Sequence, residues 1–225
     1  MRALIVTGSG RYADPWHPLA ETSAAIADIL TADGWQVTVN ADVDRALADL
    51  APSSTTAGHD LDLLVVNAAD PWRNGETGFG APEGSLSGLD AALKRGVGVL
   101  AMHTAVSSLR DYSNWAAAIG AIWLPEVSMH PPLGEARVQI VEHPLTSGLQ
   151  DFSLHDERYS RLQAVGERTI LARHTLDGVR HPLAWIREHE ASRVACDMLG
   201  HDTRSYESAE HRELIRRLAR WAGCH

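Results

Sequence analysis

Residues 98–105 read Gly-Val-Leu-Ala-Met-His-Thr-Ala, an apolar run that ends abruptly in a histidine. A short, continuous apolar run predicts a strand that is covered on both faces, as the strands of parallel sheets are. His103 then lies at the corner between this strand and the next helix, where a nucleophile elbow carries its attacking side chain. The corner holds an imidazole in place of a thiol, so amide hydrolysis through a cysteine is not expected. A purely structural role, in which His103 caps the helix or satisfies a carbonyl, is the alternative.

Further apolar runs repeat this pattern and alternate with segments of helical spacing. We predict strands over residues 3–7, 35–39, 61–67 and 194–199, and helices over residues 19–32, 43–50, 87–95, 113–119 and 208–222. The core candidates of the first helix are Ala24, Ile26, Ile29 and Leu30. Strands that alternate with helices form βαβ units, so the sequence predicts an α/β fold with a mainly parallel central sheet. Two shorter strands are predicted over residues 136–141 and 168–173, and a long loop over residues 71–88.

The length and charge of the chain narrow the classes of function. Its 225 residues fit one domain spanning 1–225, and its 20 basic and 29 acidic side chains give a net charge of −9. Proteins that bind nucleic acid or a membrane surface usually show clustered lysine and arginine, so neither partner is expected. The two cysteines lack the spacing of a disulfide framework or a metal site, which favours a reducing cytoplasm. A homo-oligomer stays open, because the apolar residues 115–124 suit a dimer surface and a core equally well.

Polar residues follow several apolar segments and suggest one shared pocket. In open parallel sheets, ligands bind outside the carboxyl ends of the strands. Histidine and carboxylate side chains suit proton transfer near neutral pH, and histidine also suits metal ligation. The pocket candidates are His103, His130, Asp156, Glu157, Tyr159 and His201. The sequence lacks the usual metal-ligand spacings, so no metal or other cofactor is predicted from spacing, while histidines distant in sequence leave a divalent metal open.

These motifs, in this order and spacing, resemble the ThuA-like family, which is named after a trehalose utilisation protein. The resemblance runs over nearly the whole chain. It is carried by residues 3–8 with Trp16-His17, by the strand that ends in His103-Thr104-Ala105, by His130-Pro131, by residues 141–149, by Asp156-Glu157-Arg158-Tyr159 and by Leu199-Gly200-His201-Asp202. It implies a three-layer, flavodoxin-like sandwich of the class I glutamine amidotransferase-like superfamily and a role in carbohydrate use. It also adds His17 to the substrate-binding candidates.

Three hypotheses about function fit this pattern, and each takes a small-molecule carbohydrate as partner. The first is an enzyme that acts on a sugar or keto-sugar derivative by acid–base chemistry, with Glu157 or His103 as the base. In that enzyme His103, Glu157 and His201 are catalytic. The substrate-binding residues are Trp16, His17, His130, Asp156 and Tyr159, and either Trp16 or Trp72 stacks on the sugar. The second hypothesis is a non-catalytic sugar-binding or regulatory module, and the third is a metal-dependent hydrolase or isomerase.

Overall fold

The computed structural model describes residues 1–52, 60–72 and 80–224. Its strands are β1 (Arg2–Thr7), β2 (Gln36–Asn40), β3 (Leu63–Asn67), β4 (Gly98–Met102), β5 (Ala121–Ile122), β6 (Gly134–Ile140), β7 (Phe152–Asp156), β8 (Gln163–Ala164), β9 (Thr169–Leu176), β10 (Val179–His189) and β11 (Ser192–Asp197). Within the described residues, nine of them form one mixed sheet in the order β2-β1-β3-β4-β11-β10-β9-β6-β7. The short strands β5 and β8 pair with each other.

The half of the sheet from β2 to β11 is parallel, and its strands are the ones that the sequence predicts most clearly. β1 pairs with β2 and β3, and β4 pairs with β3 and β11. Every residue of β3 and β4 is buried, as expected for strands that are covered on both faces. The predicted α/β fold class is therefore confirmed, and the strand ahead of His103 lies in the middle of the sheet.

The helices are α1 (Leu19–Ala32), α2 (Val43–Ala48), α3 (Glu83–Arg95), α4 (Trp115–Ile119) and α5 (Ala209–Gly223). Ser208 caps α5, since its side chain accepts a hydrogen bond from the backbone N–H of His211. In α1, Ile26, Ile29 and Leu30 are buried as predicted. The prediction for Ala24 is wrong, because this residue is exposed. Two residues correspond to about 200° of rotation in a helix, so Ala24 faces away from the side that Ile26 buries.

The predicted loop over residues 71–88 ends earlier than expected. Its residues 73–79 lie outside the described residues, and α3 begins at Glu83. Two glycines obscure this start in the sequence, because glycine is a poor helix former. Gly88 is nevertheless required by packing, since an added Cβ would collide with the carbonyl oxygen of Leu47 in α2.

β10 is the strand that sequence analysis misses most clearly. It pairs antiparallel with both β11 and β9, and it therefore joins the two halves of the sheet. It contains Pro182, which cannot donate to a sheet ladder and argues against a central strand. The structure accommodates this proline at a register shift between Pro182 and Ala184. β7, which pairs with β6 at the antiparallel edge, is also missed.

Two tryptophans show where the apolar segment 115–124 lies. Trp115 donates from Nε1 to the carbonyl oxygen of Ala105 at 2.8 Å, and Trp185 donates to that of Ile119 at 2.7 Å. Both side chains are buried and hydrogen-bonded, so the start of this segment belongs to the core of the chain. Neither Cys196 nor Cys224 forms a disulfide. None of the described helices is long and apolar enough to cross a membrane.

Candidate functional site

Four side chains that are far apart in sequence meet at one point of the fold. They are His17, His103, Glu157 and His201, and one potential ligand atom from each lies within 4.8 Å of the other three. All four residues are buried, with at most 8% of their surface exposed. The three residues predicted to be catalytic are therefore brought together, and His17 joins them.

The parallel strands explain why the three histidines meet. His17 lies between β1 and α1, His103 follows β4 directly, and His201 comes shortly after β11. All three lie beyond the carboxyl ends of parallel strands, which is where open α/β sheets build their sites. Glu157 follows β7 and is supplied by the antiparallel half of the sheet.

The three imidazoles converge on a single oxygen of Glu157. Its Oε2 atom lies 3.6 Å from Nε2 of His17, 3.5 Å from Nε2 of His103 and 3.4 Å from Nδ1 of His201. None of these four atoms has a hydrogen-bond partner among the described residues, although all are buried. Burying an unpaired polar atom costs on the order of 1–3 kcal/mol, so four of them at one point need a stabilising partner. Tetrahedral coordination with bonds of about 2.0–2.1 Å places ligand atoms about 3.3–3.4 Å apart. The three separations from Glu157 Oε2 are close to this distance, and all four atoms lie within 4.8 Å of one another.

The second ring nitrogen of His103 is held by the backbone. Nδ1 lies 2.8 Å from the carbonyl oxygen of Met198, which can only accept a hydrogen bond, so Nδ1 carries the proton. Nε2 is thus the ring nitrogen that faces Glu157. His103 itself has a φ of 38°, a backbone conformation that is uncommon outside glycine and that clusters at functional sites.

The second ring nitrogen of His17 faces a carboxylate. Its Nδ1 atom lies 3.1 Å from Oδ2 of Asp14, whose side chain is fully buried. Burial on its own would lower the pKa of His17, but the nearby carboxylates of Asp14 and Glu157 outweigh it and raise the pKa above its usual value. A carboxylate next to one ring nitrogen of a histidine fixes the ring orientation and raises the basicity of the other nitrogen. Many histidines that bind metals are held by a carboxylate in this way.

Glu157 is ionised at this point of the structure. Burial alone would raise the pKa of its carboxyl, but the contacts with His103, His17 and His201 outweigh burial and hold the pKa far below its ordinary range. The cluster therefore combines one fixed negative charge with three imidazoles whose nitrogens point at it. Such a donor set suits a divalent transition metal, since imidazole and carboxylate together favour zinc, iron, nickel or copper over calcium.

A cavity of about 600 Å³ opens directly over this cluster. Its wall includes His17, Glu157 and His201, and it also contains Trp16, Asp70, Ser107, Arg110, Trp123, Pro125, His130 and Tyr159. Trp16 is 63% exposed at this cavity, whereas Tyr159 is buried and stacks on His103 with a ring separation of 4.4 Å. Trp123 meets the ring of Tyr159 edge-on at 4.9 Å. The cavity thus has aromatic surface next to a polar, charged floor.

Arg110 and Asp70 form a polar section of this wall. Arg110 Nε donates to Asp70 Oδ2 at 2.8 Å, and its Nη2 donates to the carbonyl oxygen of Trp123 at 2.8 Å. Both charged side chains are mostly buried, and these hydrogen bonds hold them in place at the cavity wall. A carboxylate and a guanidinium side by side offer both acceptors and donors to hydroxyl groups.

The remaining predicted site residues separate into two groups. Trp16, His130 and Tyr159 line the cavity. His130 is about one-third exposed, and its Nδ1 lies 3.4 Å from Oε1 of Glu157. Asp156 does not line the cavity, because its carboxylate is fully buried and accepts hydrogen bonds from the backbone N–H groups of residues 157, 200 and 201. The prediction that Asp156 contacts substrate does not agree with this placement.

Sequence reasoning overlooked several residues of the site. Asp14, Arg110 and Trp123 carry no local motif, and they reach the site only through tertiary contacts. Asp70 had a usable signal, since it follows the apolar run that forms β3. His143, by contrast, belongs to a motif that resembles the family but does not lie at the site. It caps the short helix Pro144–Thr146, where its Nδ1 accepts a hydrogen bond from the N–H of Leu145.

Comparisons with known proteins agree with the fold and with the motifs. Two solved structures share the fold over nearly the whole chain. A ThuA-like protein from Parabacteroides merdae ATCC 43184 has a TM-score of 0.75 at 19% identity and covers 99% of this chain and 90% of its own. A ThuA-like protein from Bacteroides uniformis ATCC 8492 has a TM-score of 0.70 at 12% identity, with coverage of 98% and 90%.

A larger enzyme contains a similar fold as one part. The beta-galactosidase from Rahnella sp. R3 matches 98% of this chain but only 31% of its own length, with a TM-score of 0.57 at 15% identity. None of the curated proteins compared with the sequence matches it. The family model for ThuA, described as trehalose utilisation, matches residues 2–222. Because that model covers almost all of the 225 residues, this chain belongs to the ThuA family.

Proposed function

We propose that this protein is a metal-dependent enzyme that acts on a sugar or keto-sugar derivative. The observation that carries the proposal is the convergence of three histidine nitrogens on one carboxylate oxygen. All four atoms are buried, and none has a hydrogen-bond partner in the part of the chain that the structure describes. In this proposal His17, His103, Glu157 and His201 hold one divalent cation. The residues expected to be catalytic thereby become metal ligands, and acid–base chemistry moves to neighbouring groups.

The cation would act as a Lewis acid on a carbonyl or hydroxyl oxygen of the substrate, or lower the pKa of a water molecule. His130 is the group best placed for proton transfer. It lies at the cavity wall and is partly exposed. Its Nδ1 is 3.0 Å from the carbonyl oxygen of Pro131 and 3.4 Å from Oε1 of Glu157, so Nε2 is the nitrogen left for proton transfer. Imidazole is suited to this role because it can both accept and donate a proton near neutral pH.

The cavity supports a carbohydrate as substrate. Its volume of about 600 Å³ suits a molecule of the size of one or two sugar rings. Trp16 and Trp123 offer aromatic surface for the apolar face of a ring, and Asp70 with Arg110 offers hydrogen bonds to hydroxyl groups. The family description, trehalose utilisation, points to the same class of ligand.

Glutamine amidotransferase chemistry is not proposed, because no cysteine stands at the corner after β4. That position is His103. Cys196 is buried in β11, and burial raises the pKa of its thiol far above the usual range, so it is not a nucleophile. Cys224 lies at the end of α5, and its Sγ contacts the sulfur of Met1.

The proposal is tested by metal analysis together with a turnover assay. Protein purified without chelator should contain about one equivalent of a divalent metal, and it should convert one member of a panel of disaccharides and keto-sugars. Glu157→Gln should lose both the metal and the activity while remaining folded. Turnover by metal-free protein would instead support acid–base chemistry without a metal, and binding of a sugar without conversion would support a sugar-binding module.

A further inference from the structure

Asp156 is a buried carboxylate whose hydrogen-bonding capacity is fully used. Its Oδ1 accepts from the backbone N–H of Glu157 at 2.8 Å and from that of His201 at 3.1 Å. Its Oδ2 accepts from the N–H of Gly200 at 2.7 Å and from the hydroxyl of Ser205. The side chain is 0% exposed, so it has no contact with the cavity.

These bonds tie together two members of the cluster that come from different halves of the sheet. Glu157 follows β7, and His201 follows β11, yet both backbones bond to the same oxygen of Asp156. Gly200 has a φ of 117°, which allows its N–H to reach the second oxygen. A single carboxylate therefore sets the separation of the two backbones that carry Glu157 and His201.

Ser205, His211 and Asp197 form a second layer of buried polar residues next to Asp156, on the side away from the cavity. The hydroxyl of Ser205 donates to Asp156 and lies 3.1 Å from Nδ1 of His211 in α5. Nδ1 of His211 is also 2.9 Å from the carbonyl oxygen of Ser205, and its Nε2 is 3.0 Å from Oδ2 of Asp197. Both ring nitrogens thus face acceptors, so His211 carries a proton on each and is a buried cation.

Asp197 completes this layer from the end of β11. Its Oδ1 accepts from the backbone N–H of Leu199 at 3.0 Å, so Asp197 and Asp156 hold the turn 197–201 from its two ends. The positive charge of His211 lies between these two buried carboxylates. The layer accordingly joins α5, the end of β7 and the turn that carries His201.

We propose that Asp156 is a positioning residue that holds Glu157 and His201 at the separation that a metal ion requires, with Ser205 and His211 fixing Asp156 in turn. The inference rests on the proposed metal site. Residues behind metal ligands typically change metal affinity by about 10–100-fold when they are replaced. Asp156 should act through the ligands that it orients and not through contact with substrate.

The test is Asp156→Asn, which keeps the shape of the side chain but turns one acceptor into a donor. At least one backbone N–H then loses its partner, and the turn 197–201 should shift. We expect the dissociation constant for Zn²⁺, measured by chelator competition, to rise about 10–100-fold. In a crystal structure of the variant, the distance between Glu157 Oε2 and His201 Nδ1 should increase. Asp151→Asn is the matched control, because Asp151 also accepts a backbone N–H, that of Ile140, away from the cluster.

The two readouts separate the outcomes. Wild-type affinity for Zn²⁺ with an unchanged Glu157–His201 distance in Asp156→Asn would overturn the positioning role. Absence of Zn²⁺ binding by the wild type would contradict the metal site, and the crystallographic distance would then decide the role of Asp156 alone. If Asp156→Asn does not fold, Ser205→Ala replaces it. That variant removes the hydroxyl contacts with Asp156 and His211 and leaves the three backbone bonds to Asp156 in place. It should raise the dissociation constant for Zn²⁺ by less than Asp156→Asn does.

Discussion

Nδ1 of His103 lies 2.8 Å from the carbonyl oxygen of Met198, and this contact joins the ends of the neighbouring strands β4 and β11. It places a ring proton on Nδ1, and it aims Nε2 at Glu157. The backbone of His103 has a φ of 38° at this corner. Sheet pairing thereby determines the orientation of the His103 ring, because the segment that follows the strand next to β4 supplies the acceptor for Nδ1.

Replacing His103 by asparagine should remove the metal and leave the fold intact. Asparagine tolerates a positive φ better than most residues, so the corner keeps its backbone conformation. The variant lacks Nε2, and we expect its metal content after purification to fall below about a tenth of the wild-type value. Replacing a residue behind a ligand already weakens metal affinity by about 10–100-fold, and loss of a ligand itself should weaken it more. His143→Asn, which changes a histidine at a helix cap, should keep its metal. An unchanged metal content in His103→Asn would contradict the site.

Asp14→Asn should weaken metal binding without abolishing it. The carboxylate of Asp14 lies 3.1 Å from Nδ1 of His17 and raises the basicity of the ring. Loss of its charge should increase the dissociation constant for the metal about 10–100-fold, measured by competition with a chelator. Asp42→Asn serves as the control, because Asp42 caps α2 and asparagine is an equally good cap. Equal affinities of the Asp14 and Asp42 variants would show that Asp14 has no influence on His17.

His211→Gln should destabilise the protein strongly. His211 is 0% exposed, and it is the cation that pairs with the buried carboxylate of Asp197 at 3.0 Å. Removing one partner of a buried ion pair costs about 3–5 kcal/mol, because the other charge is left unpaired. Urea unfolding in the presence of EDTA measures this cost without a contribution from bound metal. The double variant His211→Gln with Asp197→Asn should recover part of the loss, and a loss under about 1 kcal/mol in the single variant would show that the pair is not ionised.

Acidification should destabilise the protein through His174. Burial lowers the pKa of His174, and His181 and Arg158 oppose its protonation further. In the unfolded chain its pKa is about 6.5, so below that pH the unfolded state binds a proton that the folded state resists. The neutral ring of His174 therefore contributes to the free energy of unfolding above about pH 6.5, and this contribution is lost as the pH falls. The difference in free energy of unfolding between wild type and His174→Gln, measured in EDTA, should shrink between pH 7 and pH 5; a constant difference would contradict this.

The predicted strand ends locate most of the candidate site. The apolar runs that precede His103 and His201 place both residues at the same edge of a parallel sheet. The hydrophobic pattern is sufficient for this prediction, because a strand buried on both faces appears in the sequence as an uninterrupted apolar run. The family resemblance, and not the pattern, identifies His17 as a site candidate. The hydrophobic pattern does not predict β10, because Pro182 argues against a central strand. The structure accommodates this proline only through a local register shift.

The amino-acid sequence by itself determined the parallel half of the sheet, the family, and the identity of the side chain at the corner after β4. Only the tertiary structure decided that three histidines and Glu157 point their unpaired atoms at one place, and that Asp156 lies beneath them instead of facing the cavity. The physical reason is that strand and helix periods are local properties, whereas the direction of a side chain beyond a strand end depends on partners distant in sequence. For His103 that partner is Met198, and for His201 it is Asp156.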